Sequence, residues 1–278
     1  MMTEHFTNFQ GKNIHTVTAG SGSHTVVLLA GSGILLPSLV YRPLIEPLAE
    51  YYTVLLPSRF GYGLSDPTDE PRNVDRVVEE YRSVLDDLNV SRPVVLAAHS
   101  MGFLEALRWA QKYPEEVSAL VGIDPATPEC YRKFDMDSYA SQIERLARPG
   151  LMHRVMTAFS VPKILKRLSL TKEETRRLLP YARRNFFSAT LVSEAKALRE
   201  NIELVDQAGA PYQIPTLFLL SNGEGTPQSK EDWREDALAY LSLFDESDSH
   251  LYEHPHDLHR YVPQEIAEAI DSFLLEHL

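Results

Sequence analysis

A serine stands between a predicted strand and a predicted helix in the first half of the chain. Residues 94–98 form a short apolar run typical of a buried strand, and residues 103–113 have helical character. A serine on such a sharp turn exposes its hydroxyl above the sheet. The turn needs small residues two positions before and after it, which Ala98 and Gly102 supply. Ser100 is therefore a candidate nucleophile, although a serine at a helix start can also be an ordinary N-cap.

Four histidines crowd one short segment near the end of the sequence: His250, His254, His256 and His259. A serine hydroxyl is a poor nucleophile near neutral pH, so a base must accept its proton, and histidine titrates in the suitable range. The serine and this segment together favour nucleophilic catalysis. A metal-dependent hydrolase that uses His254, His256 and His259 is an alternative hypothesis. We expect no metal, because Asp257 lies one position too early for the histidine and aspartate run of metallo-β-lactamase-like hydrolases.

Three motifs together resemble those of the α/β-hydrolase superfamily. Residues 98–102 are similar to its G-x-S-x-G elbow, with alanine in place of the first glycine. Residues 28–33 resemble its H-G-x-G loop, with Ala30 in the position of the histidine, and residues 58–66 resemble the D-x-P-G-x-G-x-S-D turn of its cap-bearing members. The chain is identified as a cap-bearing serine hydrolase similar to esterases and proline iminopeptidases.

The resemblance also implies a base and an acid. In the family, the catalytic histidine precedes a P-x-E-x-x-x-x-I helix start by seven positions, which selects His256 when Pro263 is matched. The family pattern P-T-L followed by three hydrophobic residues and G-x-x-D places Glu224 on the acid. Asp124 is the alternative acid, because it ends the predicted strand 117–123, from which some relatives take theirs.

Two backbone amides are expected to bind the oxyanion. The amide of Met101 lies at the start of a predicted helix, where free N–H groups and positive potential favour a negative charge. The resemblance of residues 28–33 to the family loop makes the amide of Ser32 the second donor. An acyl-enzyme on Ser100 would then form in contact with both amides.

The rest of the chain alternates short apolar runs with amphipathic stretches. This alternation predicts βα units around a mostly parallel sheet flanked by helices, the α/β class. The predicted parallel strands are 25–30, 53–56, 94–98, 117–123 and 216–220. Residues 6–10 and 14–18 fit an antiparallel hairpin at the edge of the sheet, and residues 266–275 fit a closing helix.

Residues 130–200 break this alternation. Aliphatic residues recur there at helical spacing, so we interpret the segment as a helical cap inserted into a core domain of residues 1–129 and 201–278. The cap has fifteen Lys and Arg against seven Asp and Glu, a net charge of +8, so the remainder carries -20. Its cations could be solvated helix faces, or Arg183 and Arg184 could attract an anionic substrate; the sequence does not decide between these.

The composition excludes several function classes. A net charge of -12 disfavours nucleic acid and membrane partners. The one cysteine, Cys130, cannot form an internal disulfide, and the sequence starts without a basic and apolar leader, so we expect a cytoplasmic protein. No apolar stretch approaches the roughly 20 residues needed to cross a bilayer.

These observations predict a serine hydrolase of a carboxylic ester or a small amide that uses no cofactor. A haloalkane dehalogenase would need a carboxylate where Ser100 stands. Peptidase, thioesterase, carbon–carbon hydrolase and perhydrolase reactions use the same machinery and stay open. A member of the fold that only binds its ligand is an alternative of a different class.

Overall fold

An eight-stranded sheet runs through the protein, whose computed structural model describes residues 2–168 and 170–278. Its strands are β1 (Thr3–Phe9), β2 (Lys12–Ala19), β3 (Thr25–Leu29), β4 (Thr53–Pro57), β5 (Val94–Ser100), β6 (Val117–Pro125), β7 (Thr216–Leu220) and β8 (Ser247–Leu251). Their order in the sheet is β1-β2-β4-β3-β5-β6-β7-β8. β2 pairs antiparallel with β1 and β4, and every other neighbouring pair is parallel. The prediction of a mostly parallel sheet with a hairpin at its edge is confirmed.

Helices connect the strands and cover both faces of the sheet. They are α1 (Pro37–Val40), α2 (Arg42–Leu48), α3 (Val74–Asp87), α4 (Gly102–Lys112), α5 (Met136–Ala147), α6 (Leu151–Lys166), α7 (Lys172–Asn185), α8 (Ala189–Ala208), α9 (Lys230–Leu241), α10 (Leu258–Tyr261) and α11 (Pro263–His277). The predicted α/β class with flanking helices is confirmed.

The apolar runs of the central strands supply two cores, one on each face of the sheet. Successive side chains of a strand point to opposite faces, so Val27 and Leu29 join the core under α3 and α4, whereas Val26 and Leu28 join the core under α2 and α11. Burying one such side chain is worth about 1.5–3 kcal/mol. A continuous apolar run is therefore expected of strands in a sheet that helices cover on both faces.

Four helices, α5 to α8, follow β6 and precede β7 in the chain. They lie in the segment predicted to be the inserted cap, and α8 continues beyond residue 200 to Ala208. Leu198 and Val205 of α8 pack into the core that α3 and α4 cover. The division into a core domain and a cap at residues 130 and 200 stays a prediction.

β8 has no counterpart among the predicted strands. Its sequence is polar, and four of its five residues are exposed because it forms the outer edge of the sheet. A strand with so little buried surface leaves no apolar pattern to recognise. Among the residues that the structure describes, no helix has the length and apolar character needed to span a membrane.

Candidate active site

The loop between β5 and α4 forms a sharp turn that presents Ser100. The backbone of Ser100 has a φ of 52°, a left-handed value that is uncommon for a residue other than glycine. A Cβ at Gly102 would lie 2.8 Å from the carbonyl oxygens of Leu29 and Ala30, so only glycine fits there. Strain of this kind persists where the surrounding structure fixes it, and it is common at functional sites.

The loop after β3 packs directly against this turn. A Cβ at Gly31 would lie 2.8 Å from Nδ1 of His99 and 3.2 Å from Cβ of Ser100, so a glycine is needed for the close approach. Ser32 follows and lines one cavity together with Ser100 and Met101. In the described part of the chain, the amides of Ser32 and Met101 donate no hydrogen bond, so both can bind a negative oxygen.

His256 lies in the same cavity and contacts a buried carboxylate. Its Nδ1 lies 2.5 Å from Oδ2 of Asp124, near the end of β6. The other oxygen of Asp124 accepts the amide of Ser221 at 2.7 Å and the indole N–H of Trp233 at 2.9 Å. Ser100 and His256 thus line one cavity, although the described residues include no hydrogen bond between their side chains.

The environment of Asp124 favours its ionised form. Burial by itself would raise the pKa of this carboxyl group. The hydrogen bond and charge of His256, followed by the amide of Ser221 and the indole of Trp233, instead hold that pKa below its ordinary value. A carboxylate beside Nδ1 keeps the proton on that nitrogen and leaves Nε2 free to accept another.

The expectation that Glu224 contacts the histidine is corrected by this geometry. The side chain of Glu224 is exposed, and only its backbone takes part, because its carbonyl oxygen accepts the amide of His256 at 2.8 Å. Gly223 and Gly225 on either side have φ values of 77° and 92°, and the turn that they form directs the glutamate outward. The alternative acid, Asp124, occupies the position beside the imidazole.

The remaining histidines of the segment have other surroundings. His250 is exposed, and its Nε2 lies 3.6 Å from Oδ2 of Asp248. The ring of His254 stacks on that of Tyr261. His259 is fully buried and stacks on a tyrosine ring 4.3 Å away. The trio His254, His256 and His259 of the metal hypothesis is not brought together. Within residues 2–168 and 170–278, the metal-ligating groups that meet are instead His99, Asp257 and His259, within 4.8 Å of one another.

His99, which directly precedes Ser100, contacts both Tyr41 and the backbone of His256. Its Nε2 lies 3.2 Å from the carbonyl oxygen of His256, and its Nδ1 lies 2.9 Å from the hydroxyl of Tyr41. Burial, together with the charge of His256, lowers the pKa of His99 to about 4, so the ring is neutral at pH 7. A neutral ring that donates through Nε2 must accept at Nδ1, so the hydroxyl of Tyr41 donates to it. The same hydroxyl accepts the amide of Gly31 at 3.1 Å.

The cavity above Ser100 has a volume of about 200 Å³ and mostly apolar walls. Four aromatic residues contribute, together with Leu198 of α8: Tyr131, Phe134, Tyr139 and Trp233. No Lys, Arg, Asp or Glu is among its lining residues in the described ranges. The guanidinium of Arg184, an expected entrance residue, instead donates to the carbonyl oxygen of Ser65 at 2.5 Å, and Arg183 does not line the cavity.

Two residues of the site left no recognisable signal in the sequence. Trp233 lies in α9, 109 positions after Asp124 in the chain, so only the folded structure brings its indole to the carboxylate. Tyr41 lies just before α2 and looks like an ordinary core tyrosine in the sequence. His99 could have been noticed from its position next to the candidate nucleophile.

Several known proteins are similar to this chain. A family model described as the alpha/beta hydrolase fold matches residues 26–155. The uncharacterized protein YbdG of Bacillus subtilis (strain 168) is 27% identical over 274 residues, which are 95% of this chain and 83% of that protein. A pimeloyl-[acyl-carrier protein] methyl ester esterase of Shewanella woodyi is 30% identical over 152 residues, which are 53% of this chain and 49% of the esterase.

A solved structure with the same fold is the haloalkane dehalogenase DbeA-M1 loop variant of Bradyrhizobium elkanii. It aligns with a TM-score of 0.72 at 15% identity, covering 99% of this chain and 97% of that one. At this identity the likeness concerns the fold alone. The residues at the site must therefore decide the chemistry.

Proposed function

Because this chain belongs to the α/β-hydrolase fold superfamily, we propose that it is a serine hydrolase that cleaves carboxylic esters through an acyl-enzyme on Ser100. The observation that carries the proposal is the contact of 2.5 Å between Asp124 and His256 at the cavity that Ser100 lines. A serine without an oriented base beside it has no acceptor for its proton and would not support this reaction.

The proposed reaction begins with proton transfer from the hydroxyl of Ser100 to Nε2 of His256. The serine oxygen then attacks the ester carbonyl carbon, and the amides of Ser32 and Met101 stabilise the negative oxygen that develops. His256 returns the proton to the departing alcohol, which leaves an acyl group on Ser100. Water, activated by the same histidine, releases the acid. Asp124 stabilises the charged imidazole in both halves of the reaction.

The cavity supports a neutral substrate with a short acyl group. Its volume of about 200 Å³ lies below the range of about 300–1,000 Å³ that is usual for pockets of drug-sized ligands. Its aromatic walls favour apolar groups, and charged side chains that could bind a carboxylate are missing from its lining within the described residues. A small uncharged ester fits these properties.

The test combines a covalent probe with a substrate panel. A fluorophosphonate should label the wild-type chain at Ser100, and p-nitrophenyl esters of short acids should be cleaved faster than long ones, with proline and amino-acid amides run beside them. Ser100→Ala should lose the label and at least about 10³-fold of the turnover. Ser32→Ala removes a hydroxyl from the same cavity but keeps the amide, so it should retain turnover within about threefold.

An unlabelled wild-type chain would contradict the proposal. That result would favour a member of the fold that only binds its ligand, since a binding module needs no activated serine. Turnover that persists in Ser100→Ala would exclude an acyl-enzyme at this residue.

A further inference from the structure

Helix α8 holds the loop that carries the amide of Ser32 through two hydrogen bonds. The next residue, Gly33, donates its amide to the hydroxyl of Tyr62 at 3.0 Å. That hydroxyl donates in turn to Oε2 of Glu194 in α8, at 2.5 Å. Two consecutive hydrogen bonds therefore connect a helix of the inserted segment to the residue beside a proposed oxyanion donor.

Both side chains of this connection are shielded from water. Tyr62 is 3% exposed and Glu194 is 4% exposed. Burial raises the pKa of Tyr62 far above its ordinary value, so its hydroxyl keeps the proton that it donates to the glutamate. Because both partners are buried, water does not compete for this hydrogen bond, and the low local dielectric strengthens it.

Other contacts hold the first half of the same loop. The guanidinium of Arg59 donates to the carbonyl oxygens of Ala30 and Gly31, and it lies 4.9 Å from the ring centroid of Tyr62. These contacts, and the hydrogen bond from the amide of Gly31 to the hydroxyl of Tyr41, involve no residue of the inserted segment. The hydrogen bond at Gly33 depends on α8, and it holds the loop directly after Ser32.

The second carboxylate oxygen of Glu194 is unpaired. In the described part of the chain, Oε1 of Glu194 is buried without a hydrogen-bond partner. A buried acceptor without a partner lowers the stability of the folded protein. A shorter or apolar side chain would avoid this cost, so the glutamate is not explained by packing alone.

We propose that Glu194 is a positioning residue that, through Tyr62 and the amide of Gly33, aims the amide of Ser32 at the oxyanion. The inference rests on the proposed function, since it concerns the same transition state. Leu198 lies one helical turn after Glu194 and lines the cavity, so α8 both lines the cavity and holds the loop that carries the proposed oxyanion donor.

The test uses three variants of the connection. Glu194→Ala removes the acceptor, Tyr62→Phe removes both hydrogen bonds, and Glu194→Gln keeps an acceptor for the tyrosine. For a short p-nitrophenyl ester, the first two should lower kcat by about 10- to 100-fold, less than the roughly 10²- to 10³-fold loss of an oxyanion donor itself. KM should change by less than about threefold, because the amide of Ser32 binds the carbonyl oxygen of the ground state more weakly than the oxyanion of the transition state. Glu194→Gln should stay within about threefold of the wild type.

A boronic acid that forms a tetrahedral adduct on Ser100 supplies an independent measurement. Its affinity should fall with kcat in Glu194→Ala and Tyr62→Phe, whereas a merely structural defect would lower the fraction of active protein and leave the affinity of the remainder unchanged. Tyr52→Phe is the matched control. It removes a tyrosine hydroxyl that donates to Asp271 at 2.7 Å, and neither residue lines the cavity above Ser100.

Several outcomes would overturn the inference. Folded Tyr62→Phe and Glu194→Ala with wild-type kcat would do so, and so would a Glu194→Gln variant as slow as the alanine variant, since an acceptor alone should suffice. Fluorophosphonate labelling of the wild type distinguishes failure of this inference from failure of the proposed function. If the wild-type chain is labelled, only the role of Glu194 fails; if it is not, the proposed function fails as well.

Discussion

The indole N–H of Trp233 lies 2.9 Å from Oδ1 of Asp124. The same ring meets His256 edge-on, with centroids 5.7 Å apart and an angle of 88° between the planes. Trp233 therefore contacts both Asp124 and His256. Its donor holds one carboxylate oxygen in place while the other faces the imidazole, and its ring limits the movement of the histidine.

Replacing this tryptophan should slow the reaction without destroying the site. Trp233→Phe keeps an aromatic ring but removes the donor, so we expect kcat to fall by about tenfold, consistent with the loss of a hydrogen bond to a charged group. The pKa of Asp124 should also rise, because one of the groups that lower it is gone. The measurement is kcat across pH. Trp109→Phe is the control, since it removes an equivalent bond of 2.9 Å to Glu116, and unchanged kcat in Trp233→Phe would contradict the role.

The two candidate acids give opposite expectations for their amide variants. Asp124→Asn should lower kcat by about 10³- to 10⁴-fold, because the asparagine cannot stabilise the charged imidazole and favours the wrong tautomer. Glu224→Gln should stay within about twofold, since the glutamate is exposed and contributes only its backbone. Steady-state kinetics on one p-nitrophenyl ester measure both. The reverse pattern would return the acid to Glu224.

The sequence predicts Ser100 and His256 as site residues, and the structure places both at one cavity, but the carboxylate beside His256 is Asp124 and not Glu224, which the motif alignment favoured. The strand before the serine and the small residues around it leave a local pattern, and local patterns can be read from a sequence. Asp124 lies near the end of β6 and Glu224 follows β7, and because these strands are parallel neighbours, both residues occur at the same edge of the sheet. The glycine turn that directs Glu224 outward acts through backbone angles that a motif alignment does not contain.

The histidine assignment can be tested within one short segment. His256→Ala should be nearly as damaging as loss of the nucleophile, at about 10³-fold or more in kcat. His254→Ala should be mild, because that ring stacks on Tyr261 and does not line the cavity. His250→Ala controls for the change at an exposed site. An inactive His254→Ala beside an active His256→Ala would mean that the base lies two positions earlier.

Buried neutral histidines should make the protein unstable in acid. Burial lowers the pKa of His15 from 6.5 to about 4, and its ring nitrogens have no hydrogen-bond partner among the described residues. The folded pKa is below the unfolded one, so this contribution to stability is complete above pH 6.5 and is lost as the pH falls toward 4. At about 1.36 kcal/mol for each tenfold change in proton affinity, the loss amounts to about 3 kcal/mol.

His15→Phe should therefore reduce the difference in unfolding free energy between pH 7 and pH 4.5. Denaturant unfolding at the two pH values measures it, and His250→Phe at an exposed position is the control. Part of the difference should remain, because burial also lowers the pKa of His99 and His259. An unchanged difference in His15→Phe would show that this ring titrates normally in the folded state.

The basic segment between β6 and β7 should not select anionic substrates. Arg184 is bound to backbone carbonyls, and the cavity has no cationic side chain among its described lining residues. Raising the ionic strength from about 0.01 M to 0.15 M shortens the Debye length from about 30 Å to about 8 Å, which would remove long-range attraction. We therefore expect kcat/KM to change by less than about twofold across this range, both for a neutral ester and for a carboxylate-bearing ester of similar size. A steep fall for the anionic ester alone would instead assign the arginines to substrate capture.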